Sequence, residues 1–115
     1  LVDDEPLILS AYAELLETMG CQVVRAQSPL KAVEILENRE EAIDLLITDV
    51  AMPGMSAREL TERLLVSHPG LKVIYMSGHT DAAIGDPETW GGGAVFLRKP
   101  FTAEALARRV RELFG

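Results

Sequence analysis

Asp3 and Asp4 follow Leu1-Val2, Asp49 follows Leu45-Leu46-Ile47-Thr48, Ser77 follows Val73-Ile74-Tyr75-Met76, and Lys99 follows Ala94-Val95-Phe96-Leu97-Arg98. Each group with chemistry to offer therefore closes a short apolar run. Three carboxylates held close together repel one another and need compensation. A hard divalent cation supplies it. Mg²⁺, or Mn²⁺ in its place, takes oxygen ligands, and Mg²⁺ needs only one or two carboxylates beside a phosphate oxygen. A carboxylate is also a nucleophile toward phosphorus, giving an aspartyl phosphate. Phosphoryl transfer asks for positioning and charge neutralisation more than for elaborate acid–base machinery. Lys99 offers a positive point charge for that purpose, and Ser77 offers a hydroxyl that can donate to a phosphoryl oxygen.

Taken singly, each residue has an ordinary explanation. Asp3, Asp4 and Glu5 read as caps of a following helix. Asp49 alone reads as a solvated strand end, Lys99 as a surface lysine and Ser77 as a turn residue. Those explanations leave the joint placement unaccounted for.

The elements that must position these groups alternate along the chain. The apolar runs at Leu1-Val2, Val23-Val24, Leu45–Ile47, Val73–Met76 and Ala94–Leu97 are short, partly β-branched and mostly continuous. Strands buried on both faces read this way. Between them lie amphipathic stretches. The first spans about Pro6 to Met19, with Ile8, Ala11, Leu15 and Met19 on one face, Pro6 at its start and Gly20 just past its end. A second opens at Ser28-Pro29, and a third at Ser56, ending before His68-Pro69-Gly70. The last begins after Thr102 and carries Leu106, Val110 and Leu113 as a stripe. Its Glu104 suits the positive end of the helix, and Arg108, Arg109 and Arg111 suit the negative end. Residues 79–93 hold Gly85, Pro87 and Gly91-Gly92-Gly93, which predicts a short or broken fourth helix and a mobile connection.

This alternation implies a parallel sheet with helices on both faces and right-handed crossovers. Ligands of such sheets bind beyond the carboxyl ends of the strands. The acids, the hydroxyl and the lysine are all placed on that rim.

Bulk properties narrow the partners. The 115 residues are read as one domain, 1–115, and 48% of them are hydrophobic, enough for one core. A formal net charge of −7 argues against direct nucleic-acid binding and against an anionic membrane surface. The single cysteine, Cys21, makes no internal disulfide, which suits a reducing cytoplasm. No apolar run approaches the roughly 18 residues of a membrane span. Because the chain opens directly before two aspartates, the start of the first strand, and a larger parent protein, are expected to precede Leu1.

Four blocks carry a family resemblance: Val2-Asp3-Asp4-Glu5-Pro6, Asp44 through Met55, Tyr75-Met76-Ser77-Gly78 and Leu97-Arg98-Lys99-Pro100-Phe101. Together, in this order, they resemble the signature blocks of bacterial response-regulator receiver domains of two-component signalling. The resemblance implies a doubly wound, five-stranded parallel sheet of flavodoxin-like order 2-1-3-4-5. It implies that Asp49 is the phosphorylated aspartate and that Asp3 and Asp4 are the acidic pair for Mg²⁺, Asp4 directly and Asp3 largely through water. The Ala51 carbonyl becomes a backbone ligand. Ser77 matches the switch hydroxyl, Phe96 the aromatic switch position, and Lys99 the family's lysine, with the Lys99–Pro100 bond usually cis. The expected partner is a histidine kinase or phosphotransfer domain, and a weak dimer is compatible with this. The chemistry of such a domain is limited to self-phosphorylation and self-dephosphorylation.

The sequence also departs from the common pattern. Ser56-Ala57 stands where many receivers have Asp-Gly, Phe96 lacks the hydroxyl of the frequent tyrosine, and Ala51 is small and apolar. The glycine-rich link departs most. Together with Met52-Pro53-Gly54-Met55-Ser56 and Met76-Ser77-Gly78-His79-Thr80, it looks more like receivers fused to sensor histidine kinases than like DNA-binding regulators.

Other functions of the same topology compete. A Mg²⁺-dependent phosphohydrolase forming an aspartyl phosphate typically has a second acid two residues past the nucleophile, where Ala51 stands here. A flavin carrier needs a hydroxyl- and glycine-rich phosphate loop after the first strand, where Asp3-Asp4-Glu5 would repel phosphate. A binding-only pseudo-receiver usually lacks a site residue, and here the set is complete.

Overall fold

The computed structural model describes residues 1–37, 43–50, 54–77, 95–99 and 101–114. Within them lie four helices, α1 (Pro6–Thr18), α2 (Pro29–Glu37), α3 (Ala57–Ser67) and α4 (Ala103–Phe114), and three strands, β1 (Leu45–Asp49), β2 (Lys72–Ser77) and β3 (Val95–Arg98). The irregular helix expected over 79–93 lies outside the described residues. No helix among those described is long and apolar enough to cross a membrane.

The helix ends follow the local sequence. Pro6 occupies the first turn of α1, where its missing N–H costs nothing. At the other end Gly20 adopts φ 89°. Its N–H bonds the Glu17 carbonyl at 3.0 Å, and the Cys21 N–H reaches the Leu16 carbonyl at 3.1 Å. This is the paired closure of a Schellman motif, which favours glycine at the left-handed residue. Side-chain oxygens open the remaining helices: Ser28 Oγ accepts from the Lys31 N–H at 3.1 Å, Ser56 Oγ from Glu59 at 3.1 Å and Thr102 Oγ1 from Ala105 at 3.0 Å.

The strands run parallel in the order β1-β2-β3, with Leu45 opposite Lys72 and Ile74 opposite Val95. Two further segments join through single parallel bridges, Val2 pairing with both Ala26 and Thr48. Counting these as first and second, the order across the sheet is 2-1-3-4-5, the flavodoxin-like arrangement. The predicted strand at Val23-Val24 thus contributes its bridge at Ala26, because Val2 is the residue flanked on both sides. Its N–H bonds the Ile47 carbonyl at 2.8 Å, and the Asp3 N–H bonds the Ala26 carbonyl at 3.1 Å.

Both sheet faces are covered. On one, Val2, Leu46, Ala32, Val33, Leu60 and Leu64 bring α2 and α3 against the sheet. On the other, Ile47, Ile74, Met76 and Leu97 meet Leu16 of α1 and Leu106 and Val110 of α4. Adjacent residues Leu46 and Ile47 point into opposite cores, which is why the β1 run is continuous rather than alternating. Of the predicted stripe Leu106, Val110 and Leu113, the first two are buried and Leu113 is half-buried. The inward stripe of α1 is different from the expected one. Leu9, Ala13 and Leu16 are buried, whereas Ala11 is exposed and Ile8, Leu15 and Met19 are half-buried. Both sets have helical spacing and both are apolar, so periodicity alone does not choose between them; contact with the sheet does.

Candidate functional site

Four segments end at one rim. Val2 is clamped between Ala26 and β1, which delivers Asp3 beside Asp49; the Asp49 N–H bonds the Val2 carbonyl at 3.0 Å. Ser77 closes β2 opposite Arg98 of β3. The Lys99 N–H then bonds the Ser77 carbonyl at 2.6 Å, carrying the sheet one residue further and aiming Lys99 at the acids.

The geometry is tight. Lys99 Nζ lies 2.6 Å from Asp3 Oδ2 and 3.0 Å from Asp49 Oδ2. Asp3 is 0% exposed, Asp49 7% and Ser77 5%. The second Asp3 oxygen, Oδ1, accepts the Glu5 N–H at 3.0 Å. Asp4 completes the group from an exposed position, and ligand oxygens of Asp3, Asp4 and Asp49 all lie within 4.8 Å of one another. Three carboxylates against one ammonium leave two negative charges in excess, an arrangement that suits a divalent cation with oxygen ligands. Asp3 has both oxygens engaged, so Asp4 offers the more open ligand atom.

Burial alone would push the Lys99 ammonium down from its ordinary value of 10.5. The hydrogen bonds and charges of Asp3 and Asp49 outweigh burial and hold it above that value. Lys99 is therefore a protonated, fixed charge at neutral pH.

All of Asp3, Asp4, Asp49, Ser77 and Lys99 gather on this rim as the sequence predicts. Ala51 and Pro100 lie outside the described residues, so the backbone ligand and the peptide isomer expected there do too. Phe96 is half-buried on β3, and its ring stacks on Tyr75 of β2 with centroids 5.2 Å apart. The Tyr75 hydroxyl donates to Thr61 Oγ1 at 2.9 Å, and that hydroxyl in turn donates to the Ala57 carbonyl at 2.9 Å. Sequence reasoning passed over Tyr75 and Thr61. Thr61 is a polar residue on the apolar face of α3, one turn after Ala57, and that position was the available signal. It also passed over Tyr12 of α1, whose ring stacks on Phe101 with centroids 4.4 Å apart.

A cavity of about 650 Å³ opens elsewhere, beside Val23, Val24, Leu45 and Phe114. Its lining is mostly apolar and holds none of Asp3, Asp49, Ser77 or Lys99, so this cavity is separate from the acidic rim.

Comparison with known proteins identifies the family. The family model for the response regulator receiver domain matches residues 1–111. Over 113 residues the chain is 33% identical to the sensor kinase CckA of Brucella abortus, covering 98% of this chain and 12% of that protein. It is 31% identical over 115 residues to the transcriptional regulatory protein FixJ of Azorhizobium caulinodans, covering all of this chain and 54% of FixJ. The chain thus spans about half or less of these relatives. Among solved structures, a response regulator receiver domain protein from Clostridium thermocellum superposes with a TM-score of 0.84 at 32% identity, covering 97% of this chain and 89% of that one. The receiver domain of the hybrid histidine kinase CckA gives a TM-score of 0.74 at 30% identity, covering 99% and 95%. With rim, sheet order and sequence in agreement, this chain belongs to the response regulator receiver domains of two-component signalling.

Proposed function

We propose that this domain takes a phosphoryl group from the phosphohistidine of a histidine kinase or phosphotransfer domain onto Asp49, with Mg²⁺ or Mn²⁺ bound, and changes conformation in response. The observation that carries this reading is the Lys99 ammonium lying between the buried carboxylates of Asp3 and Asp49, with Asp4 open beside them.

In the transfer an Asp49 oxygen attacks phosphorus and the phosphorus–nitrogen bond breaks. The imidazole nitrogen keeps the electron pair and takes a proton from solvent. Lys99 holds positive charge within 3.0 Å of the Asp49 oxygen, where it opposes charge gathering on the transferred group. The grouped carboxylates fit a divalent cation: Asp4 would be the direct carboxylate ligand, Asp3 would act through water, and Asp49 would share the ion with the phosphoryl group. A cation held there would supply charge neutralisation for the phosphoryl oxygens. Asp3, tied by Lys99 and the Glu5 N–H, orients the lysine.

The product carries about two negative charges on its phosphoryl oxygens. Ser77, at the end of β2, moves toward Asp49 and donates to them. Phe96 leaves its half-buried place beside Tyr75 and repacks inward. Without a phenolic hydroxyl, Phe96 reports activation by packing alone. The similarity to the sensor kinase CckA and to the receiver domain of the hybrid histidine kinase CckA supports a hybrid histidine kinase as the parent protein.

Incubation with phosphoramidate and Mg²⁺ tests the reading. Intact mass should show one added, acid-labile phosphoryl group, absent from Asp49→Asn. Equal labelling of that variant would overturn the assignment.

A further inference from the structure

Lys99 has to hold two carboxylates at once, on a long side chain with many rotamers. Its backbone is tied on the β3 side by the 2.6 Å bond from its own N–H to the Ser77 carbonyl. Two residues further on, the Phe101 ring lies face to face with Tyr12 of α1, the planes inclined by 18° and the centroids 4.4 Å apart. Both rings sit against the core formed by Ile47, Ile74, Met76, Leu97 and Leu106. Helix α1 begins three residues after Asp3. The same helix therefore follows one partner of Lys99 and grips the chain just beyond Lys99 itself.

From this geometry we infer that Tyr12 is a positioning residue: by stacking on Phe101 it pins the chain after Lys99 to α1 and so fixes the ammonium between Asp3 and Asp49. The ring, and not the hydroxyl, does the holding, because the contact is a stack. The inference rests on the phosphoacceptor reading only for its consequence, the rate of transfer; the holding of Lys99 is separate.

The chain has three lysines, and Lys31 and Lys72 are exposed. Acetylation by limiting acetic anhydride in metal-free buffer, read peptide by peptide, compares them in one sample. In the parent chain Lys99 should react roughly tenfold or more slowly than Lys31 and Lys72, because it is paired and enclosed. Tyr12→Ala should raise the Lys99 rate, relative to those two, by roughly two- to tenfold, the range expected for loss of one aromatic pair. Tyr12→Phe should keep the parent rate. A cooperative thermal melt confirms folding, and Tyr12→Leu serves in place of the alanine variant should that one fail to melt cooperatively. An unchanged Lys99 rate in the folded variant, or a Lys99 as reactive as Lys31 in the parent chain, would overturn the inference. Phosphoramidate labelling of the same samples should be slowed in Tyr12→Ala and unchanged in Tyr12→Phe. Absence of labelling throughout, with Lys99 still protected, would count against the phosphoacceptor reading and leave the positioning role standing.

Discussion

Lys99 stands closer to Asp3 than to Asp49, 2.6 Å against 3.0 Å, and Asp3 is the wholly buried member of the pair. The lysine is thus as much a structural counterion as a participant in transfer. Removing one partner of a buried ion pair leaves an uncompensated charge, at a cost of about 3–5 kcal/mol. Lys99→Ala should therefore lower unfolding stability by an amount of that order in metal-free buffer. Mg²⁺ should restore part of it, because a cation then meets the same carboxylates. Urea melts with and without Mg²⁺ measure both effects. Unchanged stability of the variant in metal-free buffer would contradict the role given to the pair.

Stability should also fall on the alkaline side. Burial raises the Tyr12 and Tyr75 hydroxyls above their ordinary value of 10.0, and Lys99 is held above 10.5. A group that holds its proton more tightly in the folded state stabilises the fold fully below its unfolded value. That contribution is lost as pH rises through the folded value. Melting temperatures should accordingly be insensitive to these three groups at pH 7 to 9 and drop above about pH 10. Tyr75→Phe should flatten part of the drop.

The Tyr75–Thr61 hydrogen bond joins β2 to α3 inside the core. A net contribution of about 1 kcal/mol is usual for such a bond. Tyr75→Phe should cost about that much and keep the ring that faces Phe96. Combined with Thr61→Val it should cost less than the sum of the two single changes, since both remove the same contact. Denaturant unfolding of the four proteins gives the coupling directly, and strict additivity would count against it.

Ser56 replaces a common family aspartate yet caps α3 through the Glu59 N–H. Ser56→Ala should cost about 1 kcal/mol, whereas Ser56→Asp should be close to neutral. The same urea titration reads both, and an alanine variant as stable as the parent would show the cap to be idle.

The acids, the hydroxyl and the lysine were legible because each terminates a run whose apolar continuity marks a strand, and parallel sheets gather strand ends on one rim. Helix ends were legible for a similar reason: Ser28, Ser56, Thr102 and Gly20 act within a few residues of themselves. The inward face of α1 was not, because Ile8 and Leu9, like Leu15 and Leu16, are equally apolar neighbours and only the sheet distinguishes them. Nor were the contacts Tyr12–Phe101 and Tyr75–Thr61, which join residues 89 and 14 positions apart and depend on how helices lie against strands. The preference of Lys99 for Asp3 belongs to the same class: both residues were marked, but their separation was set by the fold.

Asp49 is proposed to accept the phosphoryl group on a carboxylate oxygen. Borohydride reduces an aspartyl phosphate to homoserine, so treating the domain after phosphoramidate and Mg²⁺ and sequencing its peptides by mass spectrometry locates the acceptor. Homoserine should appear at position 49 and depend on both donor and metal. Its appearance at Asp3 or Asp4 instead, or a phosphoryl group that survives on a hydroxyl with Asp49 unaltered, would contradict the account.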